Sequence, residues 1–167
     1  YLDSDQFTVE LSDPTSTRQI VLNTSSDILS EKDVRIALQH ATNKQNISDG
    51  IFYGLEKPAD TLFAKTIPYC NIDLEPFAYD LELAGQILDD AGWKMGSGNV
   101  REKDGKQLNI DLLYNSDSVT EKSIAEYLQS EYQTIGVALN IHGEEEQSYR
   151  DNMKAGNFDM VFNICWG

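Results

Sequence analysis

From Leu108 to Cys165 the chain changes its hydrophobic period repeatedly, and few folds can accommodate that pattern. Leu108, Ile110 and Leu112 alternate with Asn109 and Asp111, the period of a half-buried strand. Ser118 and Glu121 predict a capping box, after which Ile124, Ala125, Leu128, Tyr132 and Ile135 recur at helical spacing up to Gly136. Val137, Leu139 and Ile141 alternate again, a polar run over 143–147 leads into a helix ending near Gly156, and Met160 to Cys165 reads as a buried strand. Strand, helix, strand, helix, strand requires each helix to cross back over a sheet. The expected class is α/β, a mixed sheet with packed helices, and no internal repeat is visible.

The first half is less regular. Phe7 to Leu11 and Arg18 to Leu22 predict two short strands around the turn signal Ser12-Asp13-Pro14. Ser30 followed by Glu31, Lys32 and Asp33 resembles a cap for a helix at about 31–42, with Val34, Ala37, Leu38 and Ala41 on its inner face. A second helix is predicted over Gln45 to Tyr53, ended by Gly54. From Leu55 to Tyr79, three prolines break any period, while Leu62, Phe63, Ile67, Tyr69 and Phe77 give this long loop material to bury. Asp80 to Ala91 restores a helix that Gly92 ends before Trp93, expected to be a packing anchor; Gly96-Ser97-Gly98 and Asp104-Gly105 then frame a short polar hairpin.

A length of 167 residues with 40% hydrophobic side chains suits one domain with a sizeable core. Twenty-eight acidic against 13 basic side chains give a formal charge of -15, which repels phosphate backbones and anionic lipid and excludes nucleic-acid binding. No apolar stretch approaches the roughly 20 residues of a membrane-spanning helix. Cys70 and Cys165 belong to no CxxC pair and are expected to be free thiols. The chain opens on Tyr1 and stops at Trp166-Gly167, immediately after a strand-like run, and is expected to be a single-domain fragment, 1–167, of something longer.

Little in the sequence points to catalysis. His40 and His142 lack metal-ligand spacing, and Glu144-Glu145-Glu146 would point three ways, so the run reads as a solvated acidic start to the next helix and no metal site is expected. There is no GxSxG, Walker loop or GxGxxG, and no acid stands out among 28 as half of a hydrolytic pair; the expectation is a protein that is not an enzyme. Trp166, at the C-terminal end of the last strand, lies where α/β sheets present ligand-contacting side chains, and Tyr114, at the end of an earlier strand, shares that logic.

Asp33-Val34-Arg35-Ile36-Ala37-Leu38 with Asn43-Lys44, then Ala91-Gly92-Trp93, Arg101-Glu102 with Gly105, and Phe158-Asp159 leading to Trp166-Gly167 resemble the second lobe of the family 5 extracellular solute-binding proteins of ABC importers for peptides and nickel. Ala59-Asp60-Thr61-Leu62-Phe63, Ile67-Pro68-Tyr69, Gly143 to Glu146 and Trp166-Gly167 look closest to the nickel-binding branch. The resemblance implies one lobe of a type II periplasmic-binding-protein-like fold, in a two-lobed protein about three times this length that lies outside the cytoplasmic membrane, periplasmic or lipid-anchored, and closes on its ligand. It also implies nickel or a nickel chelate as transported ligand, no covalently bound cofactor, and an ABC permease as partner.

In that branch the tryptophan of the Trp-Gly motif lines the cleft against the chelated metal, and Trp166 matches it. The cleft arginine belongs to the other lobe, and the cleft tyrosine and histidine lie beyond residue 167. Neither His40 nor His142 inherits a ligand role. An isolated lobe is therefore expected to bind weakly or not at all, because it lacks the closure that excludes water. Three other readings stay open beside it: an oligopeptide- or dipeptide-binding member of the family, a secreted carboxylate-dependent hydrolase domain, and a purely protein-binding lobe.

Overall fold

A computed structural model describes residues 8, 10, 12, 15–65 and 67–166, with Trp166 described by its backbone only. Along the chain run β1 (Ser16–Leu22), α1 (Lys32–His40), α2 (Lys44–Phe52), α3 (Leu81–Asp90), β2 (Lys94–Met95), β3 (Arg101–Lys103), β4 (Lys106–Gln107), β5 (Asn109–Asn115), α4 (Val119–Thr134), β6 (Ala138–Glu144), α5 (Glu146–Ala155) and β7 (Met160–Trp166). The main sheet has the order β1-β7-β5-β6. Strand β5 is parallel to both β6 and β7, and β1 lies antiparallel on β7, so the mixed α/β sheet is as expected.

Alternation divides this sheet into two faces. Ile110, Leu112, Leu139, Met160 and Phe162 face α1, α3 and α4 and join Val34, Leu38, Leu88, Ile124 and Leu128 in the main core. Leu113 and Val161 face the other way, onto Tyr149 of α5. The expected helical faces are the buried ones: Val34, Ala37 and Leu38 in α1, and Ile124, Ala125, Leu128 and Tyr132 in α4. Asn43 and Asp80 cap α2 and α3 by accepting from Asn46 N and Leu83 N, and Gly156 closes α5 in the left-handed conformation.

Several expectations are corrected. Ser30 does not cap α1: its hydroxyl donates to the Asp27 carbonyl, and Glu31 occupies the capping position without a side-chain cap bond. The Glu31 carboxylate instead accepts from Trp93 Nε1 at 3.3 Å and Lys103 Nζ at 2.8 Å, which pins the buried Trp93 in its anchoring place. The capping box at α4 is half formed, since Ser118 accepts from Glu121 N while the Glu121 carboxylate turns to the Asn115 amide. Strand β7 is buried over Met160 to Phe162 only; Asn163 and Ile164, beyond its last pair with β5 at Leu113 and Val161, are exposed. The predicted strand Phe7 to Leu11 falls largely outside the described residues.

The polar hairpin is in fact a three-stranded sheet, β2-β3-β4, built around a buried cation. Arg101, 5% exposed, donates to the carbonyls of Ile135 (2.6 Å) and Trp93 (2.7 Å) and to Asp89 Oδ1 (2.8 Å). Gly136 lets the chain pass close by, with φ +81 and no room for a Cβ, which would lie 2.8 Å from Arg101 Cγ.

The loop over 55–79 is a strap laid across the outside. Its start is held by Ser48 Oγ on the Glu56 carbonyl (2.5 Å) and Lys44 Nζ on Asp60 Oδ1 (2.8 Å), and its end by His40 Nδ1 on the Ala78 carbonyl (2.7 Å) and the Tyr79 hydroxyl on Glu131. Contrary to expectation, Leu62, Phe63, Tyr69 and Phe77 are exposed; with prolines preventing a continuous element, nothing lays them on the core.

Candidate functional site

The two residues nominated from the sequence, Tyr114 and Trp166, lie toward the C-terminal ends of the parallel strands β5 and β7. Leu113 lies level with Val161, so Asn115, two residues on, is level with Asn163. Strand β7 continues to Trp166, three residues and about 10 Å further at the usual rise. Its backbone there is paired with Ser16 of β1. The end of β7 is therefore a projecting rim, flanked by Arg18, which is level with Ile164, ion-paired to Glu56 at 3.4 Å and lies 5.4 Å from the centroid of the Phe52 ring.

Tyr114 ends the buried part of β5, opposite Gly143 of β6, and is half-buried at the edge of the main core. A Cβ on Gly143 would lie 2.6 Å from both Cζ and the hydroxyl of Tyr114. Gly143 does not have a left-handed φ, so its requirement is space: the ring lies across β6 where a side chain would stand. Among the described residues no hydrogen bond is formed by the Tyr114 hydroxyl, a group that can both donate and accept.

Asn115 organises the helix starts beside it. Its backbone amide donates to Glu121 Oε2 (2.9 Å), its Nδ2 to Glu146 Oε2 (2.5 Å), and its Oδ1 accepts from Asp117 N (3.0 Å). Burial raises the Glu121 carboxyl above its ordinary value, against the lowering effect of the Asn115 amide. Burial also raises the Tyr149 phenol, with Glu121 and Glu146 adding to the shift. Sequence reasoning missed Asn115, Gly143 and Arg18; a glycine inside an alternating strand was the available signal for Gly143.

The acidic run diverges as expected. Glu144 accepts from Asn152 Nδ2 (2.7 Å) and from the Ser148 hydroxyl, Glu145 is exposed, and Glu146 pairs with Asn115 and Arg150. Among the described residues no group of three His, Cys, Asp or Glu side chains could hold a metal ion. His40 is a structural tie to the strap, and exposed His142 lies 3.2 Å from Asp111 Oδ1. That pair borders an open groove of about 460 Å³ on the α5 face, lined also by Asn23, Glu144, Asn157 and Asp159. Tyr114 does not line it. Cys70 and Cys165 are free.

The family model for Bacterial extracellular solute-binding proteins, family 5 Middle, matches residues 1–167. The chain belongs to this family. It is 39% identical over 159 residues to the nickel-binding periplasmic protein of Escherichia coli K12, covering 95% of this chain and 30% of that protein. The structure of NikA from Brucella suis in complex with Fe(III)-EDTA superposes with a TM-score of 0.89 at 43% identity, over 95% of this chain and 32% of that one. The oligopeptide-binding protein AppA from Bacillus subtilis, in complex with a nonapeptide, gives 0.84 at 25% identity, over 90% and 31%. The chain thus has the type II periplasmic-binding-protein-like architecture, and it spans about a third of the length of these relatives. The family contains solute-binding proteins for metal complexes and for peptides.

Proposed function

We propose that this chain is one lobe of a two-lobed solute receptor that captures nickel, carried as a complex with a small chelator, outside the cytoplasmic membrane and delivers it to an ABC permease. The observation that carries the reading is the likeness along 95% of the chain to two proteins whose names or ligands involve metal, at 39% and 43% identity. The likeness to the peptide binder AppA is lower, at 25%.

In this reading the chelator supplies the metal's donors, which suits a lobe with no metal-holding cluster among its described residues. Trp166, at the end of β7, is assigned the packing of an aromatic ring against the chelate, and Tyr114 that of a hydroxyl hydrogen-bonded to a chelator oxygen. Closure of the second lobe removes water and brings the cationic partner for the chelator's carboxylates. The net charge of -15 also draws divalent cations loosely, an attraction that salt removes.

The test is isothermal titration of the longer parent polypeptide with Ni²⁺, with Ni²⁺ plus histidine, and with a short-peptide mixture, beside Trp166→Ala and Tyr114→Phe. Saturable heat with the nickel chelate, weakened in Trp166→Ala, supports the proposal. Heat with peptides and none with nickel moves the protein to the peptide-binding branch.

A further inference from the structure

We infer that the strap between Thr61 and Phe77 is an interaction surface whose occupant is the remainder of the longer polypeptide in which this lobe resides. The inference rests on the two-lobed reading above. The strap is anchored at its two ends, and between Thr61 and Phe77 its hydrogen bonds among the described residues are internal: Thr61 to the Phe63 carbonyl, Lys65 to Asp73, and the turn amides of Ile67, Cys70 and Ile72. Over this span Leu62, Phe63, Tyr69, Ile72, Leu74 and Phe77 hold apolar side chains in solvent. Isolated exposed apolar residues are ordinary; six on one short segment mark a contact surface.

The turn at its tip makes the argument sharper. Cys70 N donates to the Ile67 carbonyl at 3.0 Å, Pro68 takes the second position, and Tyr69 takes the third with φ 67. A turn of this form accommodates glycine or asparagine at the third position, and a tyrosine there costs about 1 to 3 kcal/mol. Tyr69 is 102% exposed, so packing within the lobe does not offset that cost. A ring displayed in a strained conformation is compensated by whatever receives it.

Three occupants were possible, and the charge separates them. A second copy would bring another -15, and an anionic bilayer repels this chain in the same way. The rest of one polypeptide is held nearby by covalent connection and needs no attraction to overcome that repulsion. More than two thirds of each compared relative lies outside the matched part, which is ample surface. The strap also begins at the rim of the proposed cleft, through the Glu56 pair with Arg18. Asp60 and Asp73 are answered within this chain by Lys44 and Lys65, so the apolar side chains set the character of the strap and the receiving surface is apolar.

Hydroxyl-radical footprinting of the longer parent tests this without a substitution. The modification rate of Tyr69 is read between that of Tyr132, 2% exposed, and that of Tyr69 in the same polypeptide unfolded in urea. The expected result is protection of Tyr69 by about tenfold relative to the unfolded chain, unchanged over a roughly hundredfold range of protein concentration. Modification at the unfolded rate overturns the inference, and so does protection that grows with concentration, which would assign the surface to a second copy. Nickel-chelate titration of the same sample separates the two claims: heat with an unprotected Tyr69 sinks the strap inference alone, whereas protection without heat supports the strap contact and sinks the nickel reading.

Discussion

The small β2-β3-β4 sheet and the strap over 55–79 both interrupt the alternation of strands and helices, and they are held in opposite ways. The small sheet is polar in sequence, yet it closes on one buried guanidinium that satisfies two carbonyls and Asp89. The strap is rich in apolar side chains, yet among the described residues its ties to the rest of the chain are at its ends, and it leaves those side chains in solvent. A single desolvated donor with fixed geometry locks a segment more firmly than several apolar side chains with no surface opposite them.

Arg101→Ala is the strongest way to break that contrast. It leaves Asp89 with only the more distant Lys94, at 3.9 Å, and removes the Arg101 donors from two carbonyls, and should cost roughly 3 to 5 kcal/mol in urea unfolding. A loss below about 1 kcal/mol would mean that packing around Trp93 holds the small sheet instead. Gly136→Ala attacks the same hub sterically, because the new Cβ would lie 2.6 Å from Met95 Sδ and 2.8 Å from Arg101 Cγ at a φ of +81. Its expected cost is about 2 to 4 kcal/mol, from overpacking together with backbone strain, and a lowered thermal midpoint is the readout.

In the strap the effects should be smaller and partly reversed. Tyr69→Asn places a residue that tolerates the left-handed conformation at φ 67. In this chain it should stabilise by about 0.5 kcal/mol by urea titration, whereas in the longer parent it should destabilise if the ring is received there. The smallest effect concerns the strap's far end. The hydrogen bond to Glu131, with burial and the carboxylate's charge behind it, pushes the Tyr79 phenol up to about 12 from its ordinary value of 10.0. A folded-state value above the unfolded one contributes stability that is fully present below pH 10 and lost as the pH rises through about 12. The stability difference between the wild type and Tyr79→Phe should therefore shrink over that window in chemical denaturation, and a pH-independent difference would show that this tie contributes no proton linkage.

Much of the frame was legible in residues. The periods over 108–165 located β5, α4, β6, α5 and β7, and Asn43, Asp80 and Gly156 mark helix ends in ways local chemistry dictates. What escaped was contact across distance. Glu31 looked like part of a local cap, and its real partners, Trp93 and Lys103, lie 62 and 72 residues away. Glu121 fitted a capping box, but the amide of Asn115 at the strand end competed for its carboxylate.

The site divides along the same line. The order of elements put Tyr114 and Trp166 toward the ends of β5 and β7, and it is on that position alone that the sequence nominated them. That Tyr114 lies across β6 depends on the parallel register that sets it opposite Gly143, a pairing between residues 29 positions apart. Periodicity and caps are local properties, written into neighbouring residues, and they determined the α/β class and the buried faces. Register, the Arg101 hub and the exposure of the strap arise from which distant surfaces meet, and only the tertiary structure decided them.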